Sequence, residues 1–158
     1  MRKFKKNNIK LFFKLISPLI IFLAYLTLPY MLSDIAAKYC INKGAYLKAE
    51  NIYWKSLSVR QKLDPMEPLA IIDDYRNLAD LYIKEKKFDL AQFCFEQIIG
   101  LYEGEGHYDL TVDDLISLGS ICWAKKDYKN TENYYLEAIK RAEKYFGKYD
   151  HRTYELEL

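Results

Sequence analysis

Apolar positions along the chain fall into two regimes. From Leu15 to Leu32 the run LISPLIIFLAYLTLPYML is continuous, 18 residues without a charge. Beyond it, apolar residues recur every three or four positions, the period of helices with one buried face. This second regime repeats itself. GAYLKAENIYWKSL from Gly44, KKFDLAQFCFEQII from Lys86 and KDYKNTENYYLEAI from Lys126 align without gaps, at spacings of 42 and 40 residues. Matched positions are Tyr46, Phe88 and Tyr128; Ala49, Ala91 and Thr131; Tyr53, Phe95 and Tyr135; Ser56, Ile98 and Ala138.

Upstream of each segment lies a second helical pattern: Ala36, Ala37 and Cys40; Leu78, Ala79 and Tyr82; Leu118, Gly119 and Cys122. Ala37, Ala79 and Gly119 each precede the Ala49, Ala91 or Thr131 position by 12 residues. Small residues belong where two helices approach closely, and aromatics a turn further on fill the space between neighbours. Each unit therefore reads as helix A, tight turn, helix B. The expected repeat core is Ala37, Ala49, Tyr53, Leu78, Ala79, Tyr82, Ala91, Phe95, Ile98, Leu118, Gly119, Thr131, Tyr135 and Ala138.

Leu78-Ala79-x-x-Tyr82 followed by Ala91-x-x-x-Phe95-x-x-Ile98 resembles the tetratricopeptide repeat. Leu118-Gly119-x-x-Cys122 with Thr131, Tyr135 and Ala138 resembles a second copy, and Ala37, Cys40, Ala49, Tyr53 and Ser56 a weaker third. The basic repeat has about 34 residues. The extra length follows helix B, in LYEGEGHYDLT from Leu101 and KYFGKYDHRT from Lys144. A Gly, then His, then Thr there is similar to the longer repeats of kinesin light chains and their bacterial relatives. Thr131 and Cys122 depart from the usual Ala and Tyr, and the Pro that usually follows His is absent. The resemblance implies an all-α, right-handed solenoid of about three hairpins, with units near 30–63, 68–105 and 111–148. A partial helix over 153–158 would leave that end of the solenoid open for self-association.

Charge changes the picture at the amino end. Residues 1–14 carry six basic side chains and no acid, leaving 18 basic against 22 acidic in the rest. A basic head (1–14) before an uncharged run (15–32) reads as a signal-anchor, with the repeat domain (33–158) across the membrane. Eighteen helical residues span about 27 Å, close to the roughly 30 Å hydrocarbon thickness. The run is longer than the roughly 7–15 residues of a signal-peptide core. The expectation is a single-pass protein with a cytoplasmic amino terminus and, in a bacterial inner membrane, periplasmic repeats. Secretion after cleavage near Ser33, Ala36 and Ala37 is one alternative, a buried helix of the body another. The mildly acidic body argues against nucleic acid as partner.

Local chemistry fits the hairpins. Thr111-Val112-Asp113-Asp114 is expected to cap the third helix A, with Asp113-Asp114 and Asp73-Asp74 as first-turn acids that offset the helix dipole. Asp64-Pro65 or Glu67-Pro68 would open the second. Gly44, Gly104, Gly106 and Gly147 are expected just past helix ends, where positive φ is needed.

Catalytic signals are lacking in the sequence. His107 and His151 occupy equivalent loops without clustered ligands. No phosphate-cradling glycine loop, dinucleotide fingerprint, zinc-protease helix or nucleophile elbow occurs. Cys40, Cys94 and Cys122 read as buried filler. No enzyme, cofactor or metal is expected. What the family resemblance implies is a groove lined by the A helices. Its candidate residues are Lys38, Asp73, Arg76, Asn77, Asp80, Ile83, Asp113, Ser117, Ser120 and Trp123. The carboxylate clamp of some family members does not fit, because Asp80 stands where that clamp has a neutral Asn. The expected role is a membrane-anchored scaffold presenting its groove to a protein or peptide. The alternatives are a self-associating or envelope-complex component and a cytosol-facing organelle import receptor.

Overall fold

The computed structural model describes residues 32–63 and 68–148. The basic head, the apolar run up to residue 31, Asp64-Pro65, His151 and the expected partial helix lie outside them. Six helices fill the described residues, and none of these residues is in a strand. They are α1 (32–42), α2 (Tyr46–Leu63), α3 (Ile72–Lys84), α4 (Phe88–Gly104), α5 (Val112–Ala124) and α6 (Tyr128–Phe146). Short 3-10 turns, Pro68–Ile71 and Tyr108–Thr111, lead into α3 and α5. Among the described residues no helix is long and apolar enough to cross a membrane.

Pairs α1/α2, α3/α4 and α5/α6 are the three A/B hairpins, and each turn is built the same way. The amides of Ala45, Lys87 and Asp127 donate to the carbonyls of Cys40, Tyr82 and Cys122, at 2.8, 2.8 and 2.9 Å. This is the six-to-one bond of a Schellman C-cap, which needs one left-handed residue before the donor. Gly44 (φ 73°) supplies it in the first unit, Lys86 (φ 58°) and Lys126 (φ 62°) in the others. Gly106 (φ 80°) ends α4 likewise, with the His107 amide on the Tyr102 carbonyl at 2.8 Å. Gly104 is instead the last residue of α4.

The core lies between consecutive helices. Ala37, Ala49, Tyr53, Leu78, Ala79, Tyr82, Ala91, Phe95, Ile98, Leu118, Gly119, Thr131 and Ala138 are buried. Tyr135 is only half-buried, because no further described unit covers α6; Ala36, at the other end, is exposed for the same reason. A Cβ on Gly119 would stand 2.7 Å from the Tyr135 ring, so a glycine lets α5 and α6 meet there. Trp54 Nε1 donates to Tyr82 Oη at 3.0 Å, and Tyr82 donates to Glu50 at 2.8 Å, joining the first two units. Burial, reinforced by Glu50, pushes the Tyr82 hydroxyl up to about 12. Cys94 and Cys122 are buried and Cys40 partly so, all as free thiols.

Two local expectations change. Thr111 does not cap α5. The preceding 3-10 turn holds it in helical conformation, so its hydroxyl donates back to the Tyr108 carbonyl at 2.6 Å and accepts from Arg141 at 2.7 Å. Asp74 and Asp114 are more than dipole compensation: both are buried against an arginine of the preceding unit. Arg60 Nε lies 3.1 Å from Asp74, and Arg76 Nη2 donates to both Asp114 oxygens at 2.9 and 3.0 Å.

Candidate functional site

Asp73, Asn77 and Asp80 fall at i, i+4 and i+7 on α3, so they form one stripe of its surface. Asp34 and Lys38 of α1 face it, and Tyr53 and Arg60 of α2 complete the walls. Together with Ser33, Asp74 and Arg76 these residues line an open cavity of about 510 Å³. The walls thus come from helix A of one unit, helix A of the next and the helix B that lies between them in the chain.

The lining holds four aspartates against one lysine and two arginines. Most of these charges are already engaged. Lys38 pairs with Asp34 at 2.8 Å, one turn away. Tyr53 Oη donates to Asp34 at 3.4 Å. Burial, then the Asp34 charge, pushes the Tyr53 hydroxyl up to about 12, so it remains a donor at any physiological pH. Arg76 is directed at Asp114, behind the cavity. Burial raises Asp74 and Asp114 from the ordinary aspartate value, opposed in each case by the arginine. Asp73, Asn77 and Asp80 form no hydrogen bond or ion pair among the described residues. They leave two carboxylates flanking a carboxamide, with an excess of negative charge. Such a stripe can accept from lysine, arginine or peptide N–H groups, and Asn77 can also donate to a carbonyl.

The structure thus brings Lys38, Asp73, Arg76, Asn77 and Asp80 to one cavity. The remaining candidates do not line it. Ile83 is exposed at the carboxyl end of α3. Ser117 and Ser120 donate to the Asp113 and Ile116 carbonyls at 2.9 and 3.0 Å, and Ser120 also shares a hydrogen bond of 3.1 Å with Tyr135. Asp113 is exposed on α5. Trp123, 62% exposed, packs edge-on against the Tyr128 ring, with centroids 5.3 Å apart. Sequence reasoning missed the parts of Tyr53, Arg60 and Asp74 in this cavity. A usable signal existed for Asp74 and Asp114. Each sits four residues before a core leucine, Leu78 or Leu118, and a charge in that phase calls for a buried partner. Among the described residues no cluster of His, Cys, Asp or Glu could hold a metal ion.

Residues 75–105 and 115–145 match the family model of the tetratricopeptide repeat. Among solved structures, BtubC (BKLC) from P. vanneervenii is similar, with a TM-score of 0.69 and 22% sequence identity over 85% of this chain and 56% of that one. At that identity the likeness is one of fold, and the chain spans little more than half of BtubC. No curated protein sequence matches significantly.

Proposed function

We propose, from the premise that residues 75–105 and 115–145 are tetratricopeptide repeats, that the chain is a scaffold whose groove receives a protein or peptide partner. Repeats of this kind generally serve protein–protein interaction. The carrying observation is the cavity between α1 and α3, lined by Asp73, Asn77 and Asp80, which form no hydrogen bond or ion pair among the described residues. The long spacing of 40 to 42 residues fits the kinesin-light-chain type of repeat. The reading includes no catalysis. It keeps the anchor: residues 15–32 hold the repeats at a membrane, with the basic head on the cytoplasmic side. That part rests on the sequence alone.

A photo-crosslinking amino acid at Asn77 or Asp80 tests the groove, with Lys55, exposed on α2, as control position. A discrete adduct formed in cells from the groove positions but not from Lys55 is expected. Equal labelling from all three, or none from the groove, sinks the reading. One observation favours the self-assembly alternative: α6, the last described helix, exposes Leu136 and Tyr145. If Leu136→Glu abolishes concentration-dependent sedimentation of the detergent-solubilised chain while helicity stays unchanged, end-to-end contact is the main function.

A further inference from the structure

The three A–B turns form one edge of the solenoid. Lys87 of the second turn reaches Glu50 of the first unit at 3.6 Å. Lys125 of the third reaches Asp89 and Gln92 of the second unit at 2.6 and 3.0 Å. Consecutive units are therefore tied together beside their turns. Segments 42–48, 84–90 and 124–130 carry eight lysines against three acids, whereas the described residues as a whole have 17 of each sign. The edge is thus strongly positive and the remainder equally negative.

Most of these cations are unspent. Lys48, Lys84, Lys86, Lys126 and Lys129 are exposed and form no ion pair among the described residues. Lys86 and Lys126 hold the left-handed position that Gly44 occupies in the first unit. Two units thus place a strained lysine at the turn apex, where glycine would be easier. Between the second and third turns a recess of about 460 Å³ is lined by Phe88, Leu90, Lys86, Lys87, Lys125 and Asp89, the last paired with Lys125 at 2.6 Å. Beside the third turn stand the exposed Trp123 and Tyr128 rings.

We infer that this edge is a second docking surface, distinct from the groove, for an acidic polypeptide segment that also carries apolar side chains. Carboxylates meet Lys86, Lys126 and Lys129, and an apolar side chain enters the recess over Leu90 and Phe88. A recess set among the cations suits a projecting apolar side chain flanked by carboxylates better than a planar layer of lipid headgroups.

The test uses the full chain in neutral phosphatidylcholine nanodiscs and a labelled peptide of alternating Glu and Leu, followed by anisotropy and Trp emission. Binding at 50 mM salt that weakens at least tenfold by 300 mM is expected. Lys86→Gln, Lys126→Gln and Lys129→Gln together should weaken it at least tenfold. Asp73→Asn with Asp80→Asn, and glutamine at Lys3, Lys5, Lys6 and Lys10, should leave it within twofold. If the triple variant melts early, Lys48→Gln with Lys129→Gln, outside the strained positions, must weaken binding about threefold or more. Equal binding of a Gln-Leu peptide, or equal loss from the groove variant, overturns the inference. So does tighter edge-dependent binding of a single-stranded oligonucleotide or of phosphatidylglycerol vesicles. Groove crosslinking is unaffected by any of these outcomes, so the two readings fail separately.

Discussion

Single residues set local limits that can be measured. Lys86 and Lys126 adopt positive φ, which costs an L-residue roughly 1–2 kcal/mol, while glycine loses about 0.5–1 kcal/mol more chain entropy on folding. Lys86→Gly and Lys126→Gly should each therefore raise stability by up to about 1 kcal/mol, seen as a higher urea midpoint. Gly119→Ala should act in the opposite direction. Its methyl would press on the Tyr135 ring at 2.7 Å, and turning the ring out breaks its bond to Ser120. A loss on the order of 1–3 kcal/mol is expected, and an unchanged melting curve would mean that α5 and α6 are not that close. Burial raises both Asp74 and Asp114, so folding favours their protonated forms. Their contribution is then fully present below the ordinary aspartate value and fades as pH rises through the raised one. Wild type should therefore gain stability relative to the Asp74→Asn, Asp114→Asn double variant as pH falls from 7 to 4. A gain in the other direction contradicts the burial argument.

At the scale of elements, the hairpins were legible because small residues recur at one phase in every unit. Ala37, Ala79 and Gly119 announce the A/B contact, and the buried Ala49, Ala91 and Thr131 answer it. Ala79→Leu or Ala91→Leu should lose about 1–3 kcal/mol or more by overpacking. Lys55→Leu, on the exposed side of α2, should stay within about 0.5 kcal/mol. Comparable midpoints for all three would place the repeat alignment in error. Helix starts were less legible. Thr111 has the composition of a cap, yet a 3-10 turn enters the helix ahead of it and turns its hydroxyl toward Arg141. No local pattern announces that, since Arg141 lies 30 residues away. Likewise the pairing of Asp114 with Arg76 is a contact between units, which periodicity within a unit does not encode.

For the whole molecule, the family resemblance implied a groove on the A helices, with candidate residues spread over all three units. The cavity the structure shows lies between α1 and α3, while Ser117 and Ser120 are turned back onto their own helix and Trp123 stands at the turn edge. Which lysines share an edge was invisible in the one-dimensional pattern, which shows spacing but not the row that the turns make. The proposed anchor bears on orientation. In intact bacterial spheroplasts, external protease should digest the repeats and spare a tag at the amino terminus. Protection of both, or a mature chain beginning near Lys38, would reject a retained span.

The arginine–aspartate pairs between units give the array a direction. Each buried carboxylate belongs to the later unit, and each arginine to the earlier one. Asp114 has a side chain only 2% exposed, while that of its partner Arg76 is 41% exposed. Trimming from the two ends is therefore not equivalent. A fragment starting after residue 64 strands Asp74 without Arg60, and breaking such a pair at its buried member costs on the order of 3–5 kcal/mol. A fragment ending near residue 106 returns Arg76 to water, along with Asp89 and Glu103, the more exposed partners of Lys125 and Arg141, and strands no buried carboxylate. Nested deletions should thus be tolerated further from the carboxyl side than from the amino side, a one-way dependence in which every hairpin is completed by its predecessor.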